Sequence, residues 1–267
     1  MTPDPFTDEE LDAPWALLDE GRASEVLSIL TQLDDDDRPH PEAGALTALA
    51  LCDLGDLDAA ERALELAEIE SGEDTGAVTN LVLARAEVDL LRWRPEDARA
   101  AFERLEADEP SVSTRLRLSL CADLLGDPDA GLEWQRRAGE LMEGAFTVLD
   151  GAAFDQVVDA AVRELPPRFA ARLDDVPVLV EPVPGPGAAG PDVPPDTLGL
   201  FRGVSDLDGS FEGFADLPPA IHLYQRNLER RALDVDELRE EIRITLFHEL
   251  AHLLGFDEDG VDAMGLA

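Results

Sequence analysis

A helical segment that ends in a turn recurs along the first half of the chain, and this recurrence constrains the fold more than any other feature. The turns are centred on Gly21, Gly55, Trp93 and Gly126, at intervals of 34, 38 and 33 residues. A mostly small residue stands five positions after each turn, where two antiparallel helices can pack closely. These residues are Val26, Ala60, Ala98 and Gly131. The pattern predicts about four stacked helix pairs, since one pair alone cannot bury its apolar face.

The period and the small-residue position resemble those of tetratricopeptide repeats. The resemblance implies an α-α repeat solenoid over residues 1–145. Such a solenoid either binds a protein substrate or partner on its surface, or serves as a scaffold that packs on the rest of the chain. Both interpretations stay open at the level of sequence.

Residues 146–267 have a different pattern. GAAFDQVVDAAVREL predicts a helix that ends at Pro166 and Pro167. Short β-prone runs follow at residues 176–180, 197–201 and 220–224, and a Pro/Gly-rich loop, residues 182–196, separates the first two. A long helix is predicted from the N-cap Asp234 to Leu254, with Glu237 at capping-box spacing. The expected fold class is therefore mostly α, with a small α+β domain after the repeats.

The long helix carries the sequence HELAHLLGFDED. His248 and His252 are four residues apart, so both imidazoles project from one helical face and can reach a single zinc ion. Glu249 is rotated by about 100° from His248, which suits a general base that deprotonates water activated by zinc. The opposite side of the helix is apolar and is expected to anchor it in the core. Its residues are Leu246, Phe247, Leu250 and Leu254.

Two histidines leave a catalytic zinc site short of one protein ligand. Gly255 is a natural helix end at which the chain can turn back. The third ligand in the spacing H-E-x-x-H-x-x-G-x-x-acid falls on Glu258. Asp257 and Asp259 flank this position and remain competing ligands.

From residue 152 to the end, the chain resembles the minimal zincin-like metallopeptidase family of bacteria. The motifs occur in the order RELPPRFAARLDDVPVLVE, LGLFRGV, AIHLYQRNLER and DELREEIRITLFHELAHLLGF followed by an acid. The resemblance implies a zinc-dependent peptidase fold of a few helices and a small sheet. It also implies ligand roles for His248, His252 and the acid at position 258. The family usually has Asp at that position, whereas this chain has Glu258.

Other polar residues carry weaker signals. His222 and Tyr224 alternate on one predicted strand, so they share a face. They either line the cleft and stabilise an oxyanion or belong to an ordinary half-buried strand face. Arg226, Arg230 and Arg231 either hold a substrate carboxylate or pair with surface acids, of which the chain has many.

The formal net charge is −39, and both halves of the chain are acidic. Nucleic acid and anionic membrane surfaces are excluded as partners because phosphate binding needs clustered basic residues. The chain has no lysine, which excludes Schiff-base and P-loop lysine chemistry. No apolar run approaches the roughly 20 residues of a membrane span, and the acidic N-terminus lacks a secretory signal. The expected location is the cytoplasm.

Two functions are consistent with these features. The first is a zinc-dependent metallopeptidase, with Zn²⁺ as cofactor, Glu249 as base and the helical repeats recruiting a protein substrate or partner. The alternative is a non-catalytic, repeat-based adaptor whose zinc is structural or vestigial. The fourth zinc position discriminates between them, because water there indicates catalysis and a fourth protein ligand indicates a closed site.

Overall fold

The computed structural model describes residues 8–33, 40–70, 75–185, 193–203, 218–254 and 256. Within these ranges the chain is mostly helical, with a small sheet in its C-terminal part, which confirms the predicted fold class. The chain divides into two compact units, Met1–Cys121 and Ala122–Ala267. The predicted domain boundary after residue 145 stays a prediction. None of the described helices is long and apolar enough to cross a membrane.

Helices of the first unit follow one another as antiparallel pairs. They are α1 (Asp8–Asp19) and α2 (Ala23–Leu33), α3 (Pro41–Asp53) and α4 (Leu57–Glu70), and α5 (Thr75–Leu91) and α6 (Pro95–Asp108). The interior consists mainly of buried Ala and Leu side chains. A Cβ added at Gly44 of α3 would lie 2.4 Å from the Ala67 Cβ of α4. Small residues therefore set how closely these helices approach.

Next come α7 (Val112–Leu124) and α8 (Pro128–Leu141). The boundary between the units falls within α7, so its last residues and α8 belong to the second unit. A Cβ added at Gly131 of α8 would lie 2.3 Å from Asp123 Oδ1. The small residue at this position thus allows α8 to contact the end of α7. Val26, Ala60 and Ala98, which occupy the equivalent position in the other pairs, have no exposed surface.

All four predicted turns share one backbone geometry. The central residues have positive φ angles of 72°, 76°, 57° and 79° for Gly21, Gly55, Trp93 and Gly126. At the first turn, Gly21 N–H donates to Leu18 O and Arg22 N–H donates to Leu17 O, and the same pair of bonds closes the other three. This is the Schellman motif, which satisfies the last carbonyls of a helix. The predicted turns are confirmed, including the one that places Trp93 in the left-handed region.

Gly126→Ala is expected to lower the free energy of unfolding by about 1 kcal/mol, because L-residues are strained at positive φ. An added Cβ meets nothing within 4 Å there, so the cost comes from the backbone alone. Gly151→Ala is the matched control, because its surroundings are equally open but its φ is not in the left-handed region. Alanine in that helix should stabilise slightly. Urea denaturation of both variants checks the difference, and equal shifts would contradict it.

The second unit continues with α9 (Gly151–Glu164), α10 (Pro167–Ala170) and a 3₁₀ turn (Ala171–Asp174). Three strands follow, β1 (Val178–Glu181), β2 (Gly199–Arg202) and β3 (Ala220–Tyr224), and then α11 (Gln225–Glu229) and α12 (Val235–Leu253). The described strands form one sheet in the order β1-β3-β2. β1 runs parallel to the central strand β3, and β2 runs antiparallel to it.

One face of this sheet packs on α12. Phe201 of β2 and Leu223 of β3 share a buried cluster with Leu246 and Leu250 of α12, and Phe154 of α9 joins it. Phe247 packs edge-to-face on Phe169, with ring centroids 4.3 Å apart. The apolar side predicted for the long helix is therefore confirmed as its core side.

The start of α12 is capped by side chains from both directions. The Asp234 carboxylate accepts hydrogen bonds from Asp236 N–H and Glu237 N–H, as its predicted N-cap role requires. Glu237 reaches back to accept from Leu233 N–H at 2.7 Å, one residue earlier than in a standard capping box. This cap fixes where the helix begins and hence which side chains face the sheet.

Candidate metal centre

Two histidine side chains converge on the half-buried side of α12. The Nε2 atoms of His248 and His252 lie 2.9 Å apart, and the ring planes are inclined by 75°. The four-residue spacing on a helix produces this arrangement, because it places the two side chains one turn apart. The structure thus brings together the two residues that the sequence predicted as metal ligands.

The end of α12 orients one of these rings. Phe256 N–H donates to Ala251 O at 3.1 Å, and Phe256 O lies 3.1 Å from His252 Nδ1. A carbonyl only accepts, so His252 donates from Nδ1 in this contact, and in the neutral ring Nε2 is then the nitrogen with the lone pair. This is the tautomer of a metal-ligating histidine, with the carbonyl as its supporting partner.

The donor set fits a zinc ion. At 2.9 Å the two Nε2 atoms either share one N–H in a hydrogen bond or, with both lone pairs facing inward, can bind one cation. Imidazole is a preferred ligand of Zn²⁺. Within the described residues no group of three His, Cys, Asp or Glu side chains is placed to hold a metal. The predicted third ligand Glu258 and its competitors Asp257 and Asp259 lie outside those residues.

Glu249 is buried beside this pair, with 7 % of its surface exposed. Its Oε2 accepts a hydrogen bond of 2.6 Å from the backbone N–H of Phe201 on β2. Close approach of the strand is possible because residue 199 is glycine: a Cβ there would lie 2.5 Å from Thr245 Cγ2. Sequence reasoning did not identify the Phe201–Glu249 contact, although LGLFRGV was among the motifs that it singled out.

His222 and Tyr224 lie on the sheet face opposite α12, because their neighbour Leu223 faces the core. His222 Nδ1 is 2.9 Å from Glu181 Oε2, and the Tyr224 hydroxyl accepts from Arg202 Nη2 at 3.1 Å. Burial raises the pKa of Tyr224, which keeps its hydroxyl neutral. The cleft-lining role of both residues stays a prediction.

The arginines after β3 pair with acids. Arg226 and Arg230 share the Asp123 carboxylate at the end of α7, and Arg226 also binds Glu229 at 2.7 Å. Arg231 pairs with Glu241 on α12. The structure thus shows pairing with acids. The partner of Arg231 is partly exposed, whereas the carboxylates that pair with Arg226 and Arg230 are buried and not at the surface as expected.

Glu229 is a structural carboxylate that sequence reasoning missed. It has no exposed surface, and one oxygen accepts from Leu149 N–H at 2.9 Å and from Gln225 Nε2 at 2.8 Å. Its backbone carbonyl accepts from Gln135 of α8 at 3.1 Å. Nothing in the sequence separates this acid from the many others, although it stands within the quoted motif AIHLYQRNLER.

Residues 248–252 of α12 have the sequence H-E-x-x-H, the helical motif in which metalloproteases carry two zinc-binding histidines and a general base. Residues 173–266 match the family model described as zincin-like metallopeptidase. The match confirms the predicted resemblance over this C-terminal segment, and peptides or proteins are the substrates that the family implies. A search of curated proteins gave no match.

Proposed function

We propose that this chain is a cytoplasmic zinc-dependent metallopeptidase whose helical repeats recruit a protein substrate or partner. The observation that carries the proposal is the convergence of the His248 and His252 Nε2 atoms beside the buried Glu249 carboxylate. The family match over residues 173–266, a segment that contains these three residues, supports the same conclusion. His248, His252 and Glu258 would hold the ion, with Asp257 or Asp259 as the alternative third ligand.

Zinc in such a site supplies a Lewis acid that polarises the scissile carbonyl and acidifies water. Glu249 has the role of general base: its carboxylate removes a proton from the attacking water. As the carbon–nitrogen bond breaks, the same carboxyl group returns the proton to the leaving amine. The bond from Phe201 N–H supports this role because it holds one carboxylate oxygen in place.

Metal content is the test of the site. We expect about one zinc per chain in the purified wild-type protein, measured by mass spectrometry, and loss of most of it in His252→Ala, because two of three protein ligands hold a zinc poorly. His222→Ala is the matched control, since this histidine bonds Glu181 on the opposite face of the sheet. Equal zinc content in wild type and His252→Ala, or none in either after loading, would refute the proposal.

A further inference from the structure

We propose that strand β2 positions the Glu249 side chain. The backbone N–H of Phe201 holds the Glu249 carboxylate, and the absence of a side chain at Gly199 allows the strand to come close to it. The inference rests on the proposed function in one respect, namely that Glu249 is the general base. The contact itself is independent of zinc and of any substrate.

The Phe201 N–H is not part of the sheet. Tyr224 N–H donates to Leu198 O at 2.9 Å, so the pairs that exchange hydrogen bonds are Leu198 with Tyr224 and, two residues on, Leu200 with His222. Phe201 and Ile221 form the intervening pair, whose backbone groups point away from each other. In the described part of the chain β2 pairs with β3 alone, so this N–H points to the open edge.

A donor on the open edge of a sheet ordinarily faces water or another strand. Here its acceptor is a carboxylate oxygen 2.6 Å away on a side chain that is 7 % exposed. Hydrogen bonds from an amide to an ionised carboxylate are short and about twice as strong as neutral ones. The bond restricts rotation of the Glu249 carboxylate, and a general base is effective only at a fixed distance from its proton.

Gly199 provides the space for this contact. Its φ lies outside the left-handed region, so its backbone does not require glycine. A Cβ would lie 2.5 Å from Thr245 Cγ2, 3.2 Å from the backbone oxygen of His222 and 3.4 Å from Glu249 Cγ. Thr245 and Glu249 are four residues apart and present one surface of α12 to the strand. A side chain at 199 therefore pushes β2 away from Glu249 and lengthens the bond to Phe201.

Amide NMR spectroscopy on the full-length chain tests the contact. In the wild type, the Phe201 amide proton should resonate downfield and exchange with solvent roughly tenfold more slowly than in Glu249→Ala. Glu249→Gln retains an acceptor oxygen but not the charge, so its Phe201 resonance should lie between the two. This second variant keeps the test valid if the alanine variant does not fold.

Gly199→Ala should speed exchange at Phe201 and slow hydrolysis by the zinc-loaded protein. Thr245→Ser should change little alone, because it removes one methyl group, the nearest of the three atoms that the new Cβ would meet. The double variant Gly199→Ala/Thr245→Ser should recover most of the protection and of the hydrolysis. A general loss of packing would not be rescued by removing one further methyl group.

Equal exchange of the Phe201 amide in wild type and in both Glu249 variants would overturn the inference, as would a Gly199→Ala defect that Thr245→Ser leaves unchanged. The outcome is separable from that of the proposed function. Absence of zinc together with a protected Phe201 amide would refute the peptidase alone. Zinc binding and hydrolysis without that protection would refute the positioning role alone.

Discussion

Glu249→Gln is expected to reduce peptide hydrolysis by roughly 10²- to 10⁴-fold, the range that a general base contributes. An amide cannot take up the proton that the carboxylate removes from water. Zinc content should stay at the wild-type level, because this residue is not a ligand in the predicted site and glutamine has nearly the same shape. The measurement is cleavage of a mixed peptide library by the zinc-loaded protein, read by mass spectrometry.

The matched control for this variant is Glu240→Gln, on the same helix. Glu240 is an exposed carboxylate that pairs with Arg243, well removed along α12 from the histidines. Its replacement should leave both hydrolysis and zinc content near the wild-type values. Hydrolysis that survives undiminished in Glu249→Gln would exclude a general-base role, even if zinc is present.

Glu229→Ala is expected to lower the free energy of unfolding of the second unit by about 3–5 kcal/mol, as is usual when one partner of a buried ion pair is removed. Three hydrogen bonds to the carboxylate are lost, from Leu149 N–H, Gln225 and Arg226. Among the described residues, the guanidinium of Arg226, itself 8 % exposed, would keep Asp123 as its one charged partner. Urea unfolding followed by circular dichroism measures the change.

Glu133→Ala serves as the control for that experiment. This carboxylate on α8 also pairs with arginines, Arg136 and Arg137, but lies at the surface, where solvent screens the interaction. Its replacement should change stability little. If Glu133→Ala and Glu229→Ala lowered the free energy of unfolding by comparable amounts, burial would not increase the contribution of an ion pair to the stability of this fold.

Most of the fold could be predicted from local sequence patterns. Three of the four turns were predictable because a Schellman turn depends on a few consecutive residues and favours glycine at its centre, whereas the turn at Trp93 followed from the repeat spacing. The strand at residues 220–224 was placed correctly, whereas β1 and β2 begin at Val178 and Gly199, two residues later than predicted. Strand ends depend on the register with a partner strand, which sequence periodicity does not contain.

The candidate site likewise contains some contacts that local sequence spacing predicts and others that it does not. The approach of His248 to His252 follows from helix geometry, so their spacing predicted it. The bond between Phe201 and Glu249 joins residues 48 positions apart, and it depends on the order of the strands and on the space at Gly199. Asp123 and Arg230 are 107 positions apart. In a chain with 60 acidic residues, sequence alone cannot select the one that an arginine meets.

The buried ion pairs of Arg226 and Arg230 limit where the chain can be cut to make a shorter fragment. Their partner Asp123 stands at the end of α7, and α8 contributes Gln135 to the carbonyl of Glu229. The segment that matches the peptidase family begins only at residue 173. A fragment cut there, or at residue 146, would leave two interior guanidinium groups without the carboxylate that they share. The segment that matches the family is therefore shorter than the segment needed to keep both buried guanidinium groups paired with the Asp123 carboxylate.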